Sequence, residues 1–521
     1  VTTPAPPAPG TRNTWVGKLA LYVAVTGVFV AAVVGIVQAG SRLDRAPSGA
    51  PAAPESAGVG VGERAVASAA TAPGPLATRA EARPAPASGS TGAADTGPLA
   101  QLRDHLRDPL PLLLLQVVVI VLAARLVGRL FGRWGQAPVI GEMIAGILLG
   151  PSLLGWLWPP AQAFLFPDSS LGPLRLLSQI GVVLFMFIVG IDLDAAHLRR
   201  MADAAVWVSH VSIMVPFLLG TALALALYRG LAPSGASFTA FALFMGIAMS
   251  LTAFPVLARI LEHRGLVHTP LGATAITCAA VGDVSAWCLL ALVVTIAKST
   301  ALSGAVLTFV LTLAFVAFML LVVRRIGARL LRGDMEGQSL IAGALCFVFL
   351  CALATEVIGI HALFGAFLAG VAMPGPPSVR TYLRRRLEAF ASVLLLPLFF
   401  AFTGLRTQVG LLADWNDWLV CLAVVAVAIA GKLGGSMVAA RLTGMGWTDA
   451  FALGALMNTR GLIELIVLNL GYDLGILSAR VFSMMVLMAL LTTVMTGPLL
   501  QVYAALKRRQ AAGEPVVTAA A

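Results

Sequence analysis

Charge is scarce in this chain. Asp, Glu, Lys and Arg together make up 11% of its 521 residues, and only four are lysines, at positions 18, 298, 432 and 507. A soluble protein of this length needs far more charge to cover its surface, so a water-exposed globular protein is excluded. Cysteine is also sparse: Cys278, Cys288, Cys346, Cys351 and Cys421 all fall inside apolar runs, and none forms a C-x-x-C pair. That pattern excludes a disulfide framework or zinc site and reads as small buried hydrophobes. The sequence has no phosphate loop, nucleophile constellation or metal-ligand cluster, so neither enzyme activity nor a cofactor is implied. The net charge of +11 invites a nucleic-acid reading. The arginines, however, cluster between apolar spans, where they orient a membrane protein rather than build a binding face.

What the chain has in abundance is apolar sequence, 59% of all residues. The runs exceed strand length and do not alternate, so helices rather than a barrel close the backbone hydrogen bonds. Residues 1–14 are Pro/Ala/Thr-rich and expected to be disordered. Residues 15–39 form a first apolar run. Two readings compete for it: a signal peptide cut after Val37-Gln38-Ala39, and a retained anchor, which its length favours. Residues 40–108 are Ala/Pro/Gly-rich and read as a flexible linker. The transmembrane domain, 109–505, shows about thirteen apolar windows of spanning character. They run 110–130, 137–154, 172–192, 204–228, 238–262, 270–297, 302–324, 338–357, 360–373, 386–405, 416–441, 448–471 and 481–504. A short tail, 506–521, follows.

Loop charge alternates along these spans. Arg125/Arg129/Arg133, Arg199/Arg200, Arg259/Arg264, Arg324/Arg325/Arg329/Arg332, Arg380/Arg384/Arg385/Arg386, Arg441 and Lys507/Arg508/Arg509 share one side. The positive-inside rule makes that side cytoplasmic, with the C-terminus, and puts the linker 40–108 outside. The second span carries Gly141-Glu142-Met143-Ile144-Ala145-Gly146 and the ninth Gly365-Ala366-Phe367-Leu368-Ala369-Gly370 within a shared G-x-x-x-A-G frame. An odd number of spans separates them, so equivalent helices run in opposite directions, the inverted-repeat plan of many secondary transporters. The fifth and twelfth spans then correspond. Each carries a helix-breaking stretch at membrane depth: Thr252-Ala253-Phe254-Pro255 in one, Asn458-Thr459-Arg460-Gly461 in the other. Pro255 alone is compatible with an ordinary kink. The matched pair points to unwound helices whose carbonyls and half-helix dipoles handle ions.

One carboxylate, Asp283, sits near the midpoint of the sixth span. An acid at that depth costs several kcal/mol and usually marks an ion or proton path; the plain alternative is a buried structural carboxylate. Lys432, among Gly431, Gly434 and Gly435 in the eleventh span, faces protein and is either a proton carrier or a structural counter-ion. Arg460 and Glu464, four residues apart, are placed to pair on one helix face. Arg460 stays cationic and tunes the field without shuttling protons. Glu142, Asp192, Asp194 and Glu356 lie nearer span ends and read as solvated or capping groups, with Glu142 placed to reach a vestibule. A carboxylate in a water-accessible cavity binds a monovalent cation or a proton but not both well, and competition for one site presented alternately to each face is sufficient for exchange.

Several stretches together resemble the monovalent cation:proton antiporter-2 family, which includes the Kef-type transporters and plant cation/proton exchangers. They are Pro138–Gly155, Val189–Asp194, Ser250–Leu261, Asp283–Ala291, Ile360–Gly370, Lys432–Gly444 and Met457–Asn469. The resemblance covers about 109–504. It implies an all-α polytopic membrane protein of about thirteen core helices in two inverted repeats with crossing broken helices, plus one N-terminal hydrophobic helix. It also implies a homodimer in which a core domain rocks against a dimerisation domain, and a transported Na⁺ or K⁺ as the only metal. By the same resemblance Asp283 binds cation and proton together with Thr252 and Asn458. Ala253, Phe254, Pro255, Thr459 and Gly461 form the crossing, and Lys432 is the basic residue packed beside it. One departure stands out: Gly282 occupies the position where the family carries Asp or Asn before the aspartate. If Asp283 is the sole titrating site, one proton per cation is the simpler expectation; neutralisation of Lys432 during the cycle would change the stoichiometry, and an altered cation choice is the other reading of Gly282. The short tail lacks G-x-G-x-x-G, so nucleotide gating is not expected.

The expected function is therefore secondary-active exchange of Na⁺ or K⁺ for protons in a bacterial-type inner or plasma membrane. The rival of another class is a cation channel or non-transporting sensor on the same fold; current above carrier turnover without proton coupling distinguishes the channel. Export of an organic anion is a third reading, because fold does not fix substrate.

Overall fold

Long apolar runs satisfy their own backbone groups as helices, and helix is the only regular structure among the described residues. Those residues, in the computed structural model, are 11–43, 105, 108–192, 203–267, 269–298, 302–330 and 337–511. Most of the expected linker, the first ten residues, Asp194, Arg199, Arg200, Arg332 and the tail beyond 511 lie outside them.

In chain order the α-helices of eight or more residues among the described residues are α1 (Thr11–Gly40), α2 (Pro109–Arg133), α3 (Pro138–Leu149), α4 (Leu171–Asp192), α5 (Asp203–Leu231), α6 (Phe238–Ser250) and α7 (Phe254–His263). They continue with α8 (Pro270–Lys298), α9 (Leu302–Ala317), α10 (Gln338–Ile358), α11 (Ala362–Ala372), α12 (Pro377–Phe390) and α13 (Leu396–Arg406). The last are α14 (Trp415–Ile429), α15 (Gly435–Leu442), α16 (Trp447–Met457), α17 (Leu462–Asp473) and α18 (Ala479–Ala511). Wide π turns join α12 to α13 and α14 to α15.

Among the described residues, 12 helices are long and apolar enough to cross a membrane, or 13 with the pair α16 and α17, which bends by 44° at its break. The expected ninth span is α11, only 11 residues long. At 1.5 Å per residue it covers about half of a ~30 Å hydrocarbon core.

The helices pack in two groups. One contains α5 to α8 and α14 to α18, with α1 lying along α5; the other contains α2, α3, α4, α10, α11 and α13. Tyr22 of α1 meets Trp207 and His210 edge-on, and Phe29 meets Phe217. The helices α1 and α5 therefore run parallel.

Glycine contacts express the repeat. A Cβ on Gly146 of α3 would overlap the carbonyl of Phe400, and one on Gly404 of α13 would overlap Gly146. The same interlock joins Gly190 of α4 to Gly370 of α11. Gly146 and Gly370 close the two G-x-x-x-A-G frames, so each half of the chain uses its own frame at an equivalent crossing. Small residues permit such close helix approach.

Candidate functional site

Two helices stop at mid-depth and resume. The first, α6, ends at Ser250; Leu251 and Ala253 adopt extended backbone angles, and α7 starts at Phe254 with Pro255 in its first turn. Proline tolerates that position because its missing N–H would be unsatisfied there anyway. The second, α16, ends at Met457, and α17 starts at Leu462 after Gly461. A Cβ on Gly461 would sit 2.8 Å from Val256 Cγ2, so the two breaks meet in close contact there. Two hydrogen bonds tie the crossing: Ala253 N–H to the Thr459 carbonyl at 3.0 Å, and Thr252 Oγ1 to the Met457 carbonyl at 3.3 Å. The sequence-predicted crossing residues are thus brought together.

A broken helix leaves carbonyls at one end and N–H groups at the other, with partial charges of opposite sign. Cations gather at the C-terminal end of α6. Arg460 donates to Ala248 O at 3.0 Å and Met249 O at 2.7 Å. Lys432 donates to Ser250 O, and at 2.9 Å to Ser212 O of α5. The expected pair exists as well: Arg460 Nη1 lies 3.0 Å from Glu464 Oε1, with both side chains buried.

The anion faces the other end of the break. Asp283 is 2% exposed, and the Phe254 N–H at the start of α7 is directed toward its carboxylate. That approach falls short of a formed hydrogen bond, and neither Oδ1 nor Oδ2 has a partner. Lys432, whose charge attracts Asp283 across the site, does not bond it. Asn458 Oδ1 is likewise buried and unpartnered. Buried oxygens without donors are rare. These are acceptors that a proton or a cation would satisfy.

Beside Asp283, Gly282 leaves ordinary room: a Cβ there would lie 3.7 Å from Ser209 Oγ. That serine donates instead to Cys278 O at 2.9 Å, stitching α5 to α8.

Sequence reasoning missed the residues that hold the second break in place. They are threonines of α18. Thr493 Oγ1 accepts from Arg460 N–H at 3.0 Å, Thr496 Oγ1 lies 3.3 Å from Thr459 Oγ1, and Asn458 Nδ2 reaches Thr492 O at 3.4 Å. The signal was present as Thr492-Thr493-x-x-Thr496 inside an otherwise apolar span.

Cavities approach from both sides. One, of about 370 Å³, is lined by Phe254, Pro255, Leu462, Glu142, Asp192 and Arg259. Its lining includes Arg259 and Arg384 of the Arg-rich side, and Glu142 faces it with Arg125 3.8 Å away. The other, of about 270 Å³, is lined by Ile466, Asn469, Asp473, Glu356 and His361. Asp283 lines neither.

Residues 117–505 match the family described as sodium/hydrogen exchanger, transmembrane. The chain belongs to this family. Among its relatives, the Na(+)/H(+) antiporter NhaS4 of Synechocystis is 46% identical over 397 residues, 75% of this chain and 97% of that protein. Cation/H(+) antiporter 17 of Arabidopsis thaliana is 38% identical over 79% of this chain and 51% of its own length. The K(+)/H(+) antiporter 1 of Saccharomyces cerevisiae is 34% identical over 76% of this chain and 46% of its own. The chain therefore spans about half the length of these plant and yeast relatives. All three are transporters by name. The sodium proton antiporter MjNhaP1 from Methanocaldococcus jannaschii superposes with a TM-score of 0.53 at 12% identity, covering 75% of this chain and 97% of that structure. It shares the sodium/hydrogen exchanger fold.

Proposed function

We propose that this protein is a secondary-active antiporter that exchanges a monovalent cation, Na⁺ or K⁺, for protons at Asp283 by alternating access. The observation that carries the reading is the state of that carboxylate: buried, aimed at by a half-helix N-terminus, and unpartnered at both oxygens. A proton or a cation satisfies it equally, and each displaces the other. Thr252 and Asn458 supply oxygens at the crossing, with Ala253, Phe254, Pro255, Thr459 and Gly461 shaping it. Lys432 and Arg460 hold the local charge balance.

The group carrying α5 to α8 and α14 to α18 moves against the other, and the two cavities are the alternating vestibules. The Arg-rich side is cytoplasmic by the positive-inside rule. A homodimer belongs to the same reading, with the apolar face of α9, including Val306, Phe309, Val310 and Leu313, as the face offered to the second copy or to lipid. With Gly282 before it, Asp283 titrates alone and one proton leaves per cation.

Reconstitution in proteoliposomes tests this. Proton flux driven by Na⁺ or K⁺ gradients is expected, insensitive to a membrane-potential clamp, and abolished by Asp283→Asn. Flux that survives Asp283→Asn rejects the site, and its absence in the parent protein rejects the function.

A further inference from the structure

Lys432 is held by two carbonyls from different elements, and neither is free by accident. In an α-helix each carbonyl accepts the N–H four residues further on. The residue four beyond Ser212 is Pro216, which lies inside α5 and has no N–H. Proline thus removes the donor that Ser212 O would otherwise take. Lys432 Nζ occupies that carbonyl at 2.9 Å. The second carbonyl, Ser250 O, is free because α6 ends there.

The approach of Lys432 to this carbonyl is built as well. A Cβ on Gly431 would lie 2.8 Å from Pro216 Cα, and one on Gly435 would lie 3.1 Å from Val215 Cβ. At Gly431 the added atom would meet backbone, so glycine is what lets the chain touch α5 beside Pro216. Between these glycines the backbone makes a π turn, Ala430–Gly434, which carries Lys432; such turns commonly sit at functional positions. The charged and titratable groups facing Lys432 are Arg460, Asp283, Glu464 and Cys278. Two of the ammonium's three donors are spent on carbonyls, so Lys432 is held in place without a bond to Asp283.

We propose that Pro216 is a positioning residue: by freeing the Ser212 carbonyl it tethers Lys432 away from Asp283 and keeps that carboxylate open to the transported cation. The proposal rests on Asp283 being the cation site. Without the tether Lys432 swings to Asp283 and competes with the cation as an internal counter-ion.

The test is Pro216→Ala in the full chain. Alanine restores an N–H that claims Ser212 O, and it favours a helix interior over proline. In proteoliposomes the KM for Na⁺ or K⁺ is expected to rise about tenfold, the worth of one charge-assisted hydrogen bond, while the maximal rate stays within about twofold. Cation affinity is read independently from the rise in Tm that Na⁺ or K⁺ produces in detergent. By that readout, Pro216→Ala is expected to have no effect in a Lys432→Ala background. An unchanged KM, or a weakened affinity that persists without Lys432, overturns the proposal. If the parent protein neither exchanges nor is stabilised by cations, the proposed function fails, and cation-free melting decides the tether. Coupling between Pro216→Ala and Lys432→Ala then supports it, and additive effects reject it.

Discussion

The guanidinium of Arg460 donates to the carbonyl of Met249 at 2.7 Å, so the second repeat's broken helix caps the first repeat's half-helix from within. A fixed positive charge meets the negative end of α6 in a place that water does not reach. The same arginine bonds Ala248 O and Glu464. The two breaks are therefore joined through charge as well as through Ala253 and Thr459.

Removing one member of the buried Arg460–Glu464 pair leaves the other uncompensated, which costs about 3–5 kcal/mol. Arg460→Gln and Glu464→Leu should each lower Tm in detergent markedly. The double variant should cost less than the sum of the two, because it strands no charge. Strict additivity in a melting cycle would show that the pair is not energetically coupled.

Glycines separate by what surrounds them. Gly146→Ala and Gly370→Ala each push a methyl into a facing backbone, which no rotamer change relieves; a loss of about 1–3 kcal/mol is expected, typical of overpacking. Gly282→Ala meets only Ser209 Oγ at 3.7 Å. It should fold normally and keep exchange within about twofold of the parent rate. Equal damage at all three positions would contradict this ordering.

His361 opens the short ninth span. It sits at φ 89 as the cap of α11, and its Nδ1 accepts from Leu363 N–H. Asparagine keeps a side-chain acceptor for that cap, and alanine does not. Both residues place a Cβ at the positive φ, so the difference between them reports mainly the cap. His361→Ala should therefore be less stable than His361→Asn by about 1 kcal/mol in detergent melting. Equal Tm values for the two variants would show that the cap contributes nothing.

Composition decided that the chain is membrane-embedded, because so little charge cannot cover a soluble surface; long apolar runs without alternation decided that it is helical rather than a barrel. The repeat was legible in its glycine frames, and both breaks were legible in Pro255 and Gly461, since local backbone chemistry is written in single residues. Asp283 was visible for the same reason: an acid in a long apolar run is conspicuous. What surrounds Asp283 was not. The pairing of Lys432 with Ser212 and Ser250, rather than with the aspartate, depends on carbonyls, which every residue carries alike. Thr493 and Thr496 serve the second break from another helix. Only tertiary structure decides which carbonyl is free and which side chain reaches it, because hydrogen bonds between distant segments leave no periodic trace in the sequence.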